Sequence, residues 1–240
     1  MFDLKEATQH AERAFPNESC GVIVESVGYV PCENIDLNPT VAFSMNPADF
    51  VRHGTVVAVV HSHPNGPAYP SKSDMVSQQT SGVPWAVISV TPHAGKPTAY
   101  DAFWFGDQVP TPSLDRRGFR HGVTDCYALI RDWYKGRNIL LPEHPRDWEW
   151  WKRGERLYED LLEPTGFREV VTKTPKAGDV FLCRIMSKTA NHAGVFLDNG
   201  LVLHHLAAVS GFDPHQLSRK EPFGRWYNVT TTIARYEGWM

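Results

Sequence analysis

The sequence predicts an α+β protein made of two tandem domains. Its 240 residues suit one large or two small domains. Short β-branched apolar runs alternate with amphipathic segments, and this pattern stops after residue 105 and restarts later. Between the two parts of the chain that show this pattern, residues 106–118 contain two prolines and two glycines without periodicity, as is typical of a linker. We therefore expect domains at residues 1–105 and 119–240.

The composition is that of an ordinary globular protein, with 42% hydrophobic and 21% charged residues. The net charge of −3 gives no basic footprint, so no nucleic-acid partner is expected. We expect no transmembrane segment, because no apolar run reaches about 18 residues, and the charged N-terminus lacks a signal core. Four scattered cysteines, without a C-x-x-C pair, do not predict a disulfide scaffold.

Helical spacing and β-branched runs predict the elements of the first domain. Apolar residues recur at helical spacing up to Phe15, and TVVAVV at residues 55–60 is typical of a buried strand. The expected elements are a helix within 2–15, strands at Cys20–Val24, Tyr29–Pro31 and Thr55–Val60, a short helix at Ser73–Gln79, a buried strand at Trp85–Val90 and an edge strand at Thr98–Phe105.

The second domain is expected to place two helices before its sheet. Residues 124–134 are amphipathic, with Thr124 or Asp125 as the N-cap. Residues 146–162, RDWEWWKRGERLYEDLL, predict a second helix rich in aromatic side chains. Strands follow at Asp179–Arg184, His192–Leu197 and Leu201–His205, and D-N-G between the last two predicts a hairpin.

Two histidines stand at the end of a predicted buried strand. Because side chains on a strand alternate between faces, His61 and His63 point to the same side. Such a pair is also typical of a polar loop, but Asp74 offers a third ligand to a catalytic zinc. Zinc lowers the pKa of bound water to about 7. Glu18 is the predicted general base and Ser71 the predicted hydrogen-bond donor to the oxyanion.

The motif around these residues resembles that of the JAMM (MPN+) metalloproteases. Glu18, the run HSHP at 61–64 and S-x-x-D at 71–74 fill every position of that motif. The resemblance implies Zn²⁺ as cofactor, held by His61, His63 and Asp74, and hydrolysis of amide or isopeptide bonds. His53 and His93 match no motif position and are expected to be structural or surface residues.

A cysteine nucleophile is predicted in the second domain. Cys126 lies in T-D-C-Y at a predicted helix N-terminus, where the dipole and the free N–H groups lower a thiol pKa. Such a nucleophile needs a histidine base, for which His192 is the candidate, and a third polar group. A two-residue turn after β-strand 192–197 would place His205 beside His192, and a three-residue turn would place His204 there.

The order of motifs in this half of the chain resembles the NlpC/P60 cysteine peptidases. The shared pieces are D-C at a helix start, then G-D-V-F, N-H-A-G-V-F-L and L-H-H. The resemblance implies a papain-like domain whose third polar residue stands twelve positions after the histidine, which is His204. Tyr127-Ala128 departs from the usual small pair, and His121 lies where the family often has an aromatic residue.

The order of the two domains resembles that of tail tip proteins of lambda-type siphophages. The resemblance implies other distal-tail proteins as partners and peptidoglycan cross-peptides as a substrate. It also implies a location in the host cytoplasm during assembly and at the virion tail tip afterwards.

Two alternatives to wall hydrolysis stay open. In the first alternative, the JAMM domain processes a tail protein during assembly. In the second, the chain is a structural adaptor with inactive sites. An adaptor would use aromatic side chains of the predicted second helix to contact a partner, because aromatic residues are enriched at interfaces. These side chains are Trp148, Trp150, Trp151 and Tyr158. The same side chains would equally suit a helix packed on its own domain.

Overall fold

The computed structural model describes residues 1–239, and the chain divides into two compact units, Met1–Pro110 and Thr111–Met240. Both units combine helices with a sheet, which confirms the predicted α+β class with two tandem domains. The limits of the predicted linker, residues 106–118, stay a prediction. Within residues 1–239, no helix has the length and apolarity needed to cross a membrane.

The first unit is a five-stranded mixed sheet in the order β2-β1-β3-β4-β5. Strands β3 and β4 run parallel, and all other neighbours in this sheet are antiparallel. The elements are α1 (Lys5–Ala14), β1 (Cys20–Val24), β2 (Gly28–Cys32), α2 (Asp49–Arg52), β3 (Val56–Pro64), α3 (Lys72–Ser81), β4 (Trp85–His93) and β5 (Lys96–Phe105). The short helix α2 was not predicted from the sequence.

Helix α1 covers one face of this sheet. Ala7 and Ala11 share an apolar cluster with Ala58 and Val60 of β3. Because strand side chains alternate, the odd-numbered histidines at the end of β3 project from the opposite face. The helix that follows β3 starts with a capping box: the Ser71 side chain accepts from the Asp74 amide, and the Asp74 side chain accepts from the Ser71 amide.

The second unit is built on a six-stranded antiparallel sheet in the order β12-β10-β9-β8-β13-β7. Strands β6 and β11 form a separate pair. The elements are β6 (Gly118–Arg120), α4 (Cys126–Lys135), α5 (Leu157–Leu161), β7 (Phe167–Glu169), β8 (Val180–Cys183), β9 (His192–Phe196), β10 (Leu201–His204), β11 (Phe212–Leu217), β12 (Arg219–Pro222) and β13 (Thr230–Tyr236).

Helix α4 supplies much of the core of the second unit. Its buried face, with Leu129 and Trp133, packs in one cluster with Ala193 and Val195 of β9. Asp125 is its N-cap, and its side chain accepts from the Ala128 amide at 2.9 Å. This resolves the choice between Thr124 and Asp125 and makes Cys126 the first helical residue.

The predicted continuous helix over residues 146–162 is wrong. The segment forms a 3₁₀ turn at Trp150–Arg153 and the five-residue α5. Glu149 and Gly154, on either side of the 3₁₀ turn, have positive φ angles of 56° and 82°, which a continuous helix does not allow. Trp150 is buried and contacts the rings of Trp151 and Tyr158, so the aromatic side chains fold onto their own unit.

The hairpin between β9 and β10 has a three-residue loop. Leu197 donates its amide to the Leu201 carbonyl at 2.8 Å, and His204 lies opposite Gly194. Asn199 and Gly200 both have positive φ angles, of 62° and 72°. In this register His204, and not His205, shares the sheet face of His192.

Two candidate functional sites

Three ligand-type side chains converge on one point in the first unit. The Nε2 atoms of His61 and His63 lie 3.1 Å apart. Asp74 places Oδ1 3.3 Å from Nε2 of His61 and Oδ2 3.4 Å from Nε2 of His63. All three residues are buried, and their ligand atoms lie within 4.8 Å of one another. Two imidazoles and one carboxylate form the donor set of a catalytic zinc with an open position, so the residues fit the ion.

Neighbouring groups fix the two histidine rings. The Nδ1–H of His63 donates to the Pro67 carbonyl at 2.9 Å, so Nε2 is the ring nitrogen that points at the cluster. Phe43 stacks on the His61 ring with centroids 4.7 Å apart, and Trp85 meets that ring at 5.7 Å. The cluster is therefore held in place before any ligand binds.

Asp74 is charged in this setting. Burial acts to raise the pKa of Asp74, but the facing imidazoles of His61 and His63 outweigh burial and hold the pKa well below its usual range. The same carboxylate caps α3, because its Oδ2 accepts from the Ser71 amide at 2.7 Å. The helix cap thus orients the predicted third ligand toward the two histidines.

Glu18 and Ser71 line the same cleft as His63 and Asp74. Burial raises the pKa of Glu18 to about 7, against the lowering effect of His63. Ser62, the middle residue of H-S-H, accepts at Oγ a hydrogen bond from the Ser19 amide at 2.8 Å, which ties the segment that carries Glu18 to β3. The structure brings the five predicted residues together; their roles stay predictions.

Cys126 stands at the start of α4 and beside the start of β9. Its Sγ lies 3.0 Å from the Tyr158 hydroxyl and against the backbone amide of Ala193, the residue after His192. Burial, together with the nearby Asp125 carboxylate, raises the pKa of the Cys126 thiol to about 11, against hydrogen bonds that lower it. The predicted lowering of this pKa at the helix N-terminus is therefore wrong for this conformation, because desolvation outweighs the helix terminus.

His192 and His204 form a buried pair behind the cysteine. Nε2 of His192 lies 3.1 Å from Nδ1 of His204. Within residues 1–239, Nδ1 of His192 is buried without a hydrogen-bond partner, so it does not bond the Cys126 thiol here. His205 is used elsewhere, since its Nε2–H donates to the Gln216 carbonyl at 2.8 Å. The contacts thus bring His204, and not His205, to His192.

The Tyr158 hydroxyl contacts the Cys126 thiol, and we expect replacement of Tyr158 to change the reactivity of that thiol. Burial raises the pKa of Tyr158 well above its usual value, so the hydroxyl is neutral and able to donate to a thiolate. Replacement by phenylalanine should slow alkylation of Cys126 by iodoacetamide, because the thiolate loses a donor. Replacement by alanine should speed it about tenfold, because water reaches the thiol.

Mass spectrometry of Cys126 labelling at pH 8 measures both rates. The control is Tyr227→Phe, which alters an exposed tyrosine of the same unit and should leave the labelling rate unchanged. Wild-type rates in both Tyr158 variants would show that the hydroxyl does not control the thiol.

A buried ion pair supports the start of α4. Arg146 donates from Nη2 and Nε to the Asp125 carboxylate at 2.7 Å and 3.0 Å, and both side chains are almost fully buried. Burial acts to raise the pKa of Asp125, but Arg146 outweighs it and holds the pKa far below the usual range. His121 lies beside the pair, with Nδ1 3.6 Å from Asp125, and lines the cavity next to Cys126.

Replacing Arg146 by methionine should destabilise the second unit by about 3–5 kcal/mol, because it leaves the Asp125 charge buried and unpaired. Urea unfolding followed by tryptophan fluorescence measures the loss. Arg153→Met is the matched control: Arg153 is half exposed and pairs with Asp147 at 3.2 Å, so a change below about 1 kcal/mol is expected. Equal losses in the two variants would contradict a structural role for the buried pair.

Comparison with known proteins matches each half of the chain to a protein family. The family model for prokaryotic homologs of the JAB domain matches residues 4–106, and the NlpC/P60 family model matches residues 106–230. The tail tip assembly protein K of Escherichia phage lambda is 36% identical over 200 residues, 81% of this chain and 90% of that protein. The tail tip assembly protein K of Escherichia phage N15 is 31% identical over 238 residues, 95% of this chain and 91% of that protein. The chain belongs to the tail tip assembly protein K family.

Solved structures were also compared with this member of the K family. An NlpC/P60 family protein from Bacillus cereus is 12% identical, with a TM-score of 0.34 over 98% of this chain and 67% of that one. Protein DSY2949 from Desulfitobacterium hafniense is 25% identical, with a TM-score of 0.30 over 43% of this chain and 80% of that one. The family assignment rests on the sequence relatives and the family models.

Two residues of the second site were missed from the sequence. Tyr158 contacts the cysteine from a segment that was predicted to be a continuous aromatic-rich helix, so no motif pointed to it. Glu221 accepts from His204 and lies on β12, whose sequence RKEP has no strand pattern. Its proximity depends on a strand pairing that only the structure reveals.

Proposed function

We propose that this chain takes part in assembly of a phage tail tip, as the names of its relatives state for them, and that it carries two peptidase sites. The observation that carries the proposal is Cys126 at a helix N-terminus, beside the strand whose His192 is paired with His204. The JAB and NlpC/P60 matches support a peptidase in each unit. Its partners would be other distal-tail proteins, first in the host cytoplasm and then in the virion.

In the second site, the thiol and the imidazole are both neutral before substrate binds. Burial raises the pKa of Cys126 and lowers that of His192. Substrate binding must therefore turn the thiol from Tyr158 toward Nδ1 of His192, which takes the proton as Sγ bonds to the scissile carbonyl carbon. His192 then returns the proton to the departing amine as the C–N bond breaks, and water hydrolyses the thioester.

In the first site, His61, His63 and Asp74 would hold a divalent cation, for which Zn²⁺ is the best match to the donor set. The ion supplies Lewis acidity and makes a bound water more acidic. Glu18, on the same cleft, is placed to take a proton from the attacking water and to give one to the leaving amine. Ser71 lines that cleft as a hydrogen-bond donor to the carbonyl oxygen.

We assign peptidoglycan cross-peptides to the thiol site. A second candidate substrate, a tail protein trimmed during assembly, is favoured at the metal site by the cleft wall. Val41, Phe43, Met45 and Phe50 line this cleft beside the ligands. Apolar walls bind apolar side chains of a polypeptide segment.

Two inhibitors separate the two sites. Purified peptidoglycan and a mixture of unassembled tail proteins are each incubated with the wild-type chain, alone, with a chelator, or after alkylation by iodoacetamide. We expect wall cleavage that resists the chelator and is lost on alkylation, and the opposite pattern for tail-protein cleavage. Mass spectrometry of the products identifies the bond. Intact substrates in every untreated reaction would overturn both peptidase assignments.

A further inference from the structure

The histidine pair of the second unit continues to a carboxylate. Nε2 of His204 lies 2.9 Å from Oε1 of Glu221, and Trp226 Nε1–H donates to the same oxygen at 2.7 Å. The other oxygen faces the guanidinium groups of Arg219 at 3.3 Å and Arg225 at 3.4 Å. Trp226 and the two arginines can only donate hydrogen bonds. Glu221 therefore accepts on both oxygens and is held as an ionised carboxylate.

Strand pairing puts Glu221 in this place. In the antiparallel pair of β10 and β12, His204 lies opposite Arg219, and Val202 lies opposite Glu221. His204 and Glu221 are therefore diagonal neighbours on one sheet face, within reach of a long side chain. The contact is built into the sheet and does not depend on a loop.

The carboxylate determines which nitrogen of each histidine carries a proton. An ionised Glu221 has no proton to give, so Nε2 of His204 must be the N–H. A neutral His204 then has a bare Nδ1, and Nε2 of His192 must be the N–H that donates to it at 3.1 Å. The remaining nitrogen, Nδ1 of His192, is left with a lone pair, and it is the buried nitrogen without a partner.

We propose that Glu221 is a positioning residue that acts through His204 to keep Nδ1 of His192 unprotonated and ready to accept the thiol proton of Cys126. This proposal rests on the thiol-peptidase function proposed above. Loss of the carboxylate frees His204 to carry its proton on Nδ1 and to donate toward His192. His192 then carries its own proton on Nδ1, where it blocks acceptance from the thiol.

Few charged groups surround His192, His204 and Glu221, and none of them replaces the Glu221 carboxylate as the hydrogen-bond acceptor of His204. Arg219 and Arg225 face Glu221 from the solvent side, while Arg219 and His205 contribute to the lowered pKa of His204. That pKa falls to about 4 chiefly through burial, with Glu221 opposing the shift. His204 is thus neutral at pH 7, and so is His192, whose pKa burial also lowers. The assignment of one N–H to each ring requires this.

The tautomers are observable without any substrate. In ¹⁵N-histidine-labelled full-length protein at pH 7, long-range ¹H–¹⁵N correlation spectra should show His192 and His204 as Nε2–H tautomers. Glu221→Ala should shift the tautomer populations of both His204 and His192 toward Nδ1–H. Glu221→Gln keeps an acceptor oxygen and should give a smaller shift. Glu169→Gln, at an exposed glutamate of the same unit, should change neither ring.

Turnover gives the second readout. On a cross-peptide substrate, Glu221→Ala should lower kcat by about tenfold or more with little change in KM, and Glu221→Gln should fall between it and wild type. Thermal melts check that each variant is folded. Unchanged tautomers in the folded alanine variant, or an Nδ1–H tautomer in wild-type His192, would overturn the proposal. Absence of wild-type turnover would instead overturn the peptidase function, while the spectra still decide the role of Glu221.

Discussion

Cys126→Ser should reduce hydrolysis of peptidoglycan cross-peptides by at least about a thousandfold, because removal of a nucleophile that acts as one unit with its base costs the whole covalent pathway. Serine is slightly smaller than cysteine and places a polar atom toward the Tyr158 hydroxyl, which lies 3.0 Å from the thiol in the wild type. Its hydroxyl is a far weaker acid than a thiol, so neutral His192 cannot activate it to the same extent. Product analysis by chromatography and mass spectrometry measures the loss.

The matched control for this change is Cys183→Ala, which removes another buried, free cysteine of the same unit. It should retain most of the wall activity, and iodoacetamide should still inactivate it. Within the second unit, iodoacetamide should label Cys126 before Cys183, because burial raises the pKa of Cys183 to about 12, above that of Cys126. Wall cleavage that persists in Cys126→Ser would show that the thiol is not the nucleophile. The metal site would then be the candidate for wall cleavage.

The elements with strong local signals were predictable from the sequence. The β-branched run that becomes β3 and the cap of α4, predicted as Thr124 or Asp125 and found at Asp125, each act within a few residues. The 146–162 segment was not predictable, because Trp150 within it is buried and lines the same cavity as the chain-distant Phe119 and Cys126. Tertiary packing overrode a helical pattern there.

The same distinction separates the predictable site residues from the others. The proximity of His61 and His63 follows from strand alternation, and Asp74 is oriented by a cap that S-x-x-D encodes. Glu221 depends on the partner strand of β10, and the thiol pKa depends on burial beneath Tyr158. Chain-distant contacts and desolvation are properties of the folded unit, and a motif does not contain them.

Asp74→Asn should lower the affinity of the first unit for Zn²⁺ by at least about a hundredfold, because loss of a partner that only supports a ligand already costs about 10–100-fold. Asparagine keeps an oxygen that can accept from the Ser71 amide, so the cap of α3 survives and the change isolates the ligand charge. Isothermal titration with Zn²⁺ measures affinity, and a thermal melt without metal checks the fold. Asp3→Asn, at an exposed aspartate of the same unit, is the matched control and should bind as wild type.

The consequence for assembly follows from which site each substrate uses. If the metal site trims a tail protein, phage carrying Asp74→Asn should accumulate an uncleaved tail component and incomplete tails, while extracts retain wall cleavage through Cys126. Phage carrying Cys126→Ser should assemble complete tails that fail to open the wall. Wild-type Zn²⁺ affinity in Asp74→Asn would remove this carboxylate from the ligand set. Lost affinity with normal tails and full infectivity would show instead that the site binds metal without a required cleavage, because the variant retains its helix cap and changes only the charge that holds the ion.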